Sequence, residues 1–136
     1  MHAAIQYAYD KGVVMISSAG NGTGDELHYP SGYSEVISVS GSAADLATGR
    51  EFLWPLSSYG LTVDLCAPAS GIFTTARRDT AASGTITAYR RASGTSVAAP
   101  MVSAAVGMLF AHKGYRSPQQ VRGILTSTAD DISQPR

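Results

Sequence analysis

The stretch SGTSVAAPMV, residues 93–102, joins a short polar turn to a long apolar segment. From Val97 to Phe110 almost every residue is apolar or small, which predicts a helix over these residues. Because this helix has no polar face, we expect it to be buried and to run through the middle of the protein. Pro100 fits such a helix only near its first turn, and residues 112–114 suit its C-terminal end.

Ser96 places a hydroxyl directly before this helix, and two interpretations of it are open. As a helix N-cap, its oxygen would accept hydrogen bonds from the backbone N–H groups of the first turn. As a nucleophile for acyl transfer, it would benefit from the same N–H groups and from the helix dipole. Both stabilise an oxyanion that forms beside a helix start.

Asn21 lies in the segment SSAGNG, residues 17–22, just after a predicted strand. An asparagine in such a position is commonly a turn residue. Its side-chain amide also donates two hydrogen bonds without carrying charge, which suits an oxyanion hole. The residues alone leave both interpretations of Asn21 open.

The rest of the chain alternates short apolar runs with helical patterns. Apolar runs rich in β-branched residues predict buried strands, and helical spacing with capping signals predicts helices. The predicted elements are a helix at residues 2–11, strands at 13–17, 35–41 and 62–68, a hairpin of 71–75 with 85–89, and a second helix capped by Ser117. This alternation indicates an α/β fold with a parallel sheet in one domain, residues 1–136.

The composition excludes several classes of protein. Hydrophobic residues make up 44% of the 136 residues, charged residues make up 15%, and the formal net charge is zero. These values indicate a globular protein and give no support to a nucleic-acid or membrane-surface partner. We expect no apolar run long enough to span a bilayer. The single cysteine, Cys66, excludes an internal disulfide and a cysteine zinc site, and we expect it to be a buried small hydrophobe. We find no metal-ligand cluster and expect no cofactor.

Three blocks of sequence, in order and at matching spacing, resemble one known family. They are GVVMISSAGNG at residues 12–22, YPSGYSEVISVSG followed by LSSYGLTVDLCAP within residues 29–68, and SGTSVAAPMVSAAVGML at residues 93–109. The chain resembles the C-terminal half of the catalytic domain of subtilisin-like serine proteases (subtilases, peptidase S8). The resemblance implies a hydrolase that carries out proteolysis as a serine endopeptidase. It implies a partial subtilisin-like α/β fold, with a mostly parallel sheet and a buried central helix after the nucleophile.

The resemblance also assigns roles to individual residues. Ser96 matches the nucleophile, and Asn21 matches the oxyanion donor that acts with the backbone N–H of Ser96. Pro30 matches a proline that is usually cis in the family. The residues implied to contact substrate are Ser18, Ala19, Gly20, His28 and Thr95. Of these, His28 is alternatively a loop histidine that faces solvent.

A weak cation site of some family members also has counterparts in this chain. The backbone carbonyls of Ser31, Tyr33 and Val36 match its ligands, so a structural calcium or monovalent cation is the one cofactor that the resemblance allows. The chain departs from the family pattern at four positions, which alter packing or loop geometry and remove no reacting atom. These positions are Ala69, Ser93, Met101 and Ala104.

The general base is the missing part of the pattern. In subtilisins the triad order is Asp, His, Ser, and the first two lie well upstream of the oxyanion asparagine. His112 follows Ser96 by sixteen residues. On one helix that separation is about 24 Å, whereas a base must lie within about 3 Å or one water.

We therefore expect this chain to be the C-terminal part of a longer enzyme, with Met1 an internal methionine. Alone it should be nearly inactive, and the Asp and His would come from an upstream segment of the same or another chain. The full-length protein would be extracellular, as most full-length relatives are; its substrate is a peptide or protein of unknown preference.

Two alternative hypotheses for the function remain, an α/β-hydrolase and a non-catalytic binding module. An α/β-hydrolase would use Gly94–Ala98 as a near match to its nucleophile elbow, but it needs an acid and then a histidine after the serine. Asp130 and Asp131 are available, and no histidine follows them. A non-catalytic, protease-like binding module or half-domain would instead recruit a partner chain through an exposed sheet edge.

Overall fold

The computed structural model describes residues 1–76, 89–114 and 116–132. The elements in chain order are α1 (His2–Asp10), β1 (Met15–Ser18), β2 (Val36–Ala44), β3 (Glu51–Leu53), β4 (Leu65–Pro68), β5 (Ile72–Thr75), β6 (Tyr89–Ala92), α2 (Thr95–Lys113) and α3 (Pro118–Thr128). They confirm the predicted α/β class.

Strand β2 is the centre of the main sheet. It pairs in parallel with β1 and with β4, and antiparallel with β3 near its C-terminal end. The seven residues from Val36 to Ser42 are all buried. The mostly parallel sheet expected from the sequence is therefore confirmed, and β2 is the strand against which the other elements are positioned.

The core forms between β2 and one side of α2. Its buried side chains are Ile37, Val39, Ala69, Ala98, Val102, Val106 and Val121. The three that belong to α2 are spaced four residues apart, so they lie on one helix face, which contacts β1, β2 and β4. This packing fixes the N-terminal turn of α2 beside the C-terminal end of β1.

The opposite side of α2 is open in the described part of the chain. Its exposed residues include Ser96, Pro100, Ser103, Ala104, Gly107 and Met108. From its composition the helix was expected to be buried on all sides. It is buried on the side that faces the sheet and exposed on the other. Because α2 begins at Thr95, two residues before the predicted start, Pro100 is its sixth residue and lies beyond the first turn.

Helix α2 also corrects the expectation about membrane spans. Residues Thr95–His112 are long and apolar enough to cross a bilayer by length and composition. The core helix of a soluble protein passes the same test, and α2 packs against three strands of the sheet. In this stretch 22% of the residues are buried, on the side of α2 that faces the sheet.

The remaining elements agree with the sequence except in three places. Ser117 caps α3 in a capping box with Gln120, as predicted. The hairpin is confirmed, but its second strand is β6, and residues 85–88 of the predicted strand lie outside the described residues. Strand β3 was not predicted, and the third predicted strand shortens to β4.

A cavity of about 640 Å³ lies beside β4 and the C-terminal end of α3. Cys66 lines it and is half-buried, so the expectation of a buried cysteine is met only in part. Burial raises the pKa of the Cys66 thiol, and the negative charge of Glu51 raises that pKa further. A raised pKa reduces the thiolate fraction and with it the reactivity of the thiol.

The thiol of Cys66 is expected to alkylate slowly. Its rate of reaction with iodoacetamide should keep rising at pH values where the rate of an unperturbed thiol, which is half-ionised at about 8.5, has levelled off. Glu51→Gln should speed the reaction at lower pH by removing a like charge, and Glu26→Gln is the control at another exposed glutamate. A rate that levels off below about pH 8.5 would contradict the account.

Candidate active site

The buried hydroxyl of Thr95 joins the two segments that carry the candidate site. The N–H of Gly20, just after β1, donates to Thr95 Oγ1 over 3.2 Å. That hydroxyl donates to Asn21 Oδ1 over 3.0 Å, and the Thr95 N–H donates to the same oxygen over 2.9 Å. Thr95 is completely buried, so these bonds are shielded from water.

These bonds set the direction of the Asn21 side chain. Two donors on Oδ1 turn that oxygen toward Thr95 and leave Nδ2 without a hydrogen-bond partner among the described residues. The partner lies 74 residues away in sequence, so Asn21 is more than a local turn residue. Its amide presents a neutral N–H donor at the protein surface, as an oxyanion hole requires.

Ser96 lies in the first turn of α2 and is exposed. Gly94 is the N-cap, and no side chain caps the helix, so the N-cap interpretation of Ser96 is wrong. In the described part of the chain, neither the hydroxyl nor the N–H of Ser96 has a hydrogen-bond partner. Both groups are therefore available to a ligand at the positive end of the helix dipole.

Gly94 keeps the space between these groups open. Its φ of +145° is a conformation that side chains rarely adopt. A Cβ on Gly94 would lie 3.2 Å from Ser96 Oγ and 3.7 Å from Asn21 Nδ2. The hydroxyl and the amide thus flank the same point, where a reacting carbonyl group could be held between them.

Ser58 holds the Asn21 loop from its other side. The Ser58 N–H donates to the Gly20 carbonyl over 2.9 Å, and its hydroxyl accepts from the Gly22 N–H over 3.1 Å. His28 Nε2 lies 3.4 Å from the same hydroxyl, and the ring packs against Gly20. His28 is half-buried and does not point freely into solvent.

The role of Ser58 was not predicted from the sequence. Both serines of LSSYG are buried, and it is this burial that distinguishes them from ordinary loop serines. The other residues implied to contact substrate, Ser18 to Gly20, form the end of β1 and its continuation. Ala19 is buried and its N–H donates to the Val39 carbonyl, which extends the pairing with β2. Their contact with substrate, like that of His28, stays a prediction. The cis Tyr29–Pro30 bond agrees with the resemblance.

Two of the three carbonyls of the candidate cation site, those of Tyr33 and Val36, have partners within the chain. The Arg122 guanidinium donates to the Val36 carbonyl and to the Ser34 carbonyl, each over 2.6 Å. The Tyr33 carbonyl accepts from the Val36 N–H over 3.0 Å. A metal ion at the Val36 carbonyl would meet the positive charge of Arg122, so the residues present do not fit a cation in this arrangement.

Comparison with known proteins identifies the class to which this fold and site belong. The chain matches the Subtilase family (Peptidase_S8) model over residues 1–136. Thermitase from Thermoactinomyces vulgaris is 36% identical over 133 residues, which are 98% of this chain and 42% of that protein. A halolysin-like extracellular serine protease, Nep, from Natrialba magadii is 35% identical over 122 residues, 89% of this chain and 20% of that protein. The chain therefore belongs to the subtilase family.

Solved structures show the same likeness. Fervidolysin from Fervidobacterium pennivorans superposes with a TM-score of 0.82 at 33% identity, covering 96% of this chain and 21% of that one. Sphericase superposes with a TM-score of 0.79 at 26% identity, covering 93% of this chain and 43% of that one. The expected subtilisin-like fold is confirmed, and the chain spans less than half the length of these relatives.

Removing the Thr95 hydroxyl should weaken the junction between β1 and α2. Thr95→Val leaves the half-buried Gly20 N–H without an acceptor, which should lower the free energy of unfolding by about 1–3 kcal/mol. Thr95→Ser keeps the hydroxyl and should lose less. Thr128→Val, at an exposed threonine of α3, is the control in the same denaturant titration. Equal losses from Thr95→Val and Thr128→Val would refute the role of the buried hydroxyl.

The positive charge of Arg122, and not a bound cation, should stabilise the loop that contains the Ser34 and Val36 carbonyls. Arg122→Met removes two charge-assisted hydrogen bonds to backbone carbonyls and an ion pair with Asp64, and should cost about 1–3 kcal/mol. Arg50→Met, at an exposed arginine, should change stability by less than about 0.5 kcal/mol. Calcium or potassium should not raise the melting temperature of the unaltered chain; a clear rise would show that a cation binds here after all.

Proposed function

We propose that this chain carries the nucleophile and the oxyanion hole of a serine endopeptidase, and that its general base comes from outside the chain. The observation that carries the proposal is the arrangement at the start of α2. The Ser96 hydroxyl, the Ser96 N–H and Asn21 Nδ2 have no hydrogen-bond partners in the described residues and surround the space beside Gly94.

The chemistry follows from these groups. A base takes the proton of Ser96 Oγ as that oxygen forms a bond to the carbonyl carbon of the substrate. The carbonyl oxygen becomes an oxyanion, which accepts hydrogen bonds from Asn21 Nδ2 and from the Ser96 N–H. The intermediate then expels the amine, which takes the proton from the base, and water hydrolyses the remaining acyl-enzyme ester.

The three histidines of the chain are all engaged or placed elsewhere. His2 stacks on Tyr33 with ring centroids 4.3 Å apart and lies 3.3 Å from the Glu35 carboxylate. His28 has its Nε2 beside Ser58. His112 lies sixteen residues along α2 from Ser96, which on a straight helix is about 24 Å. The proposed base is therefore a histidine, oriented by an aspartate, from an upstream segment or a second chain.

A second candidate function is a half-domain that complements another chain without catalysis of its own. The observation that favours it is the open surface of α2, together with β1, which pairs only with β2 among the described strands. An unpaired parallel edge beside an apolar helix face recruits another strand or helix. This candidate differs from the first in that the site would never be completed.

The substrates proposed for the completed enzyme are peptides and proteins, as the family implies. One relative is named an extracellular protease, and we propose the same location for the full-length protein. The single cysteine is compatible with that location and does not require it.

Labelling by a fluorophosphonate probe tests the nucleophile and the base separately. The unaltered chain should label slowly, and added imidazole should speed labelling because it supplies the absent base. Ser96→Ala should abolish the imidazole-dependent labelling, and Ser103→Ala, at an exposed serine further along α2, should not. Asn21→Ala should slow it; loss of this donor in subtilisin, a subtilase itself, is known to cost about 10²–10³ in kcat.

Three outcomes distinguish the candidates. Rapid labelling of Ser96 without imidazole would mean that the chain contains its own base. Labelling that persists in Ser96→Ala would refute Ser96 as the nucleophile. A folded chain that does not label in imidazole, yet binds a second chain across α2, would favour the non-catalytic half-domain.

A further inference from the structure

The β5–β6 hairpin presents two stacked aromatic rings to solvent. Phe73 pairs with Arg91 and Thr75 pairs with Tyr89, and because side chains alternate along a strand, these four residues share one face. Phe73 is 67% exposed and Tyr89 is 56% exposed. Their rings stack with centroids 5.4 Å apart. We call Phe73, Thr75, Tyr89 and Arg91 the hairpin face.

The aromatic rings of the hairpin face contribute little to the core. Each leaves more than half of its surface in water, and neither belongs to the hydrophobic cluster between β2 and α2. Single exposed hydrophobic residues are common, but two stacked rings beside an arginine have the composition of a binding surface. Aromatic rings and arginine are the side chains enriched where proteins recognise other chains.

The charge of this region is positive in a chain of zero net charge. In the described part of the hairpin, residues 72–76 and 89–92 contain two arginines and no acidic residue. Arg91 belongs to the hairpin face, and one of its N–H groups donates to the Gly71 carbonyl over 2.7 Å. A guanidinium has five N–H donors, and among the described residues the other donors of Arg91 remain for a carboxylate.

The hairpin is fastened to the turn that carries Ser96. The Gly71 N–H donates to Ser93 Oγ over 2.9 Å, and the Gly94 N–H donates to the Ala69 carbonyl over 2.8 Å. Tyr89 precedes Ser96 by seven residues, so it lies within about 25 Å of it. An extended peptide of about seven residues covers that distance. A substrate held at Ser96 can therefore reach the hairpin face.

We propose that the hairpin face is an accessory substrate-binding surface. It selects peptide chains that carry an acidic side chain next to an aromatic one, at a distance from the scissile bond. The carboxylate pairs with Arg91 and the aromatic ring packs on Phe73 and Tyr89. This proposal rests on the proposed function, since it treats the occupant of the surface as substrate.

Peptide binding to the Ser96→Ala chain tests the proposal without requiring catalysis. Three fluorescent decapeptides of one backbone sequence carry Asp-Phe, Asp-Ala or Lys-Phe at the same two positions. The Asp-Phe peptide should bind about tenfold more tightly than either of the others, as measured by fluorescence anisotropy at low salt. Its advantage over the Lys-Phe peptide should shrink as salt is raised.

Two adjacent arginines provide the matched control. Arg91→Gln should remove the preference for aspartate, whereas Arg90→Gln, on the opposite face of β6, should largely keep it. Phe73→Ser with Tyr89→Ser should remove the preference for phenylalanine, and Tyr7→Ser, at an exposed tyrosine of α1, should not. Circular dichroism of each variant checks that it is folded.

Several results would overturn the proposal. One is equal binding, or no binding, of the three peptides to the folded Ser96→Ala chain. Equal effects of Arg91→Gln and Arg90→Gln would be another. Tighter binding of a single-stranded oligonucleotide than of the Asp-Phe peptide would show that the surface recognises nucleic acid instead. None of these results bears on labelling of Ser96 by the phosphonate probe, so the hairpin proposal can fail while the proposed function stands.

Discussion

The geometry of the candidate site depends on one buried hydroxyl. Thr95 Oγ1 accepts from the Gly20 N–H and donates to Asn21 Oδ1, so it joins the end of β1 to the first turn of α2. A hydroxyl can do both at once because it carries one proton and two lone pairs. The Thr95 N–H donates to the same Asn21 oxygen, so the hydroxyl and the backbone of Thr95 together fix the direction of the Asn21 amide relative to Ser96.

The packing beneath the site also positions Ser96 relative to Asn21. Val39 of β2 is fully buried, and Ala98 and Val102 of α2 belong to the same core cluster, which sets where the helix begins. The donors that result are a backbone N–H and a side-chain amide, both neutral. Neutral donors lose less hydration free energy than ions when a substrate covers them, and they stabilise negative charge once it forms.

The elements with strong local signals were predictable from the sequence, and those that depend on distant contacts were not. The capping box at Ser117 and the strand β2 are determined by neighbouring residues, and the structure confirms both. Strand β3 has three exposed residues and forms only because β2 offers it a partner. The side of α2 that is covered could not be read from an apolar composition, because the sheet decides it.

In the candidate site, too, residues with a local signal could be predicted and residues that act through distant contacts could not. Ser96 and Asn21 stood out because of their places after a turn and after a strand. The supporting roles did not. Thr95 was implied to contact substrate, whereas it is buried and hydrogen-bonds to a residue 74 positions away. Ser58 acts on a loop 36 positions away. Ser31, Tyr33 and Val36 were matched to a cation site, but the sequence could not show that Arg122 of α3 would reach the Val36 carbonyl.

A double-mutant cycle between Thr95→Val and Asn21→Ala tests the central claim most directly. It measures whether the two side chains stabilise the protein through each other, which the single variants cannot separate. The account predicts a coupling of about 0.5–3 kcal/mol in the free energy of unfolding, since removing either side chain already breaks their shared hydrogen bond. Additive losses, with no coupling, would mean that the Thr95 hydroxyl does not help to hold Asn21 in place.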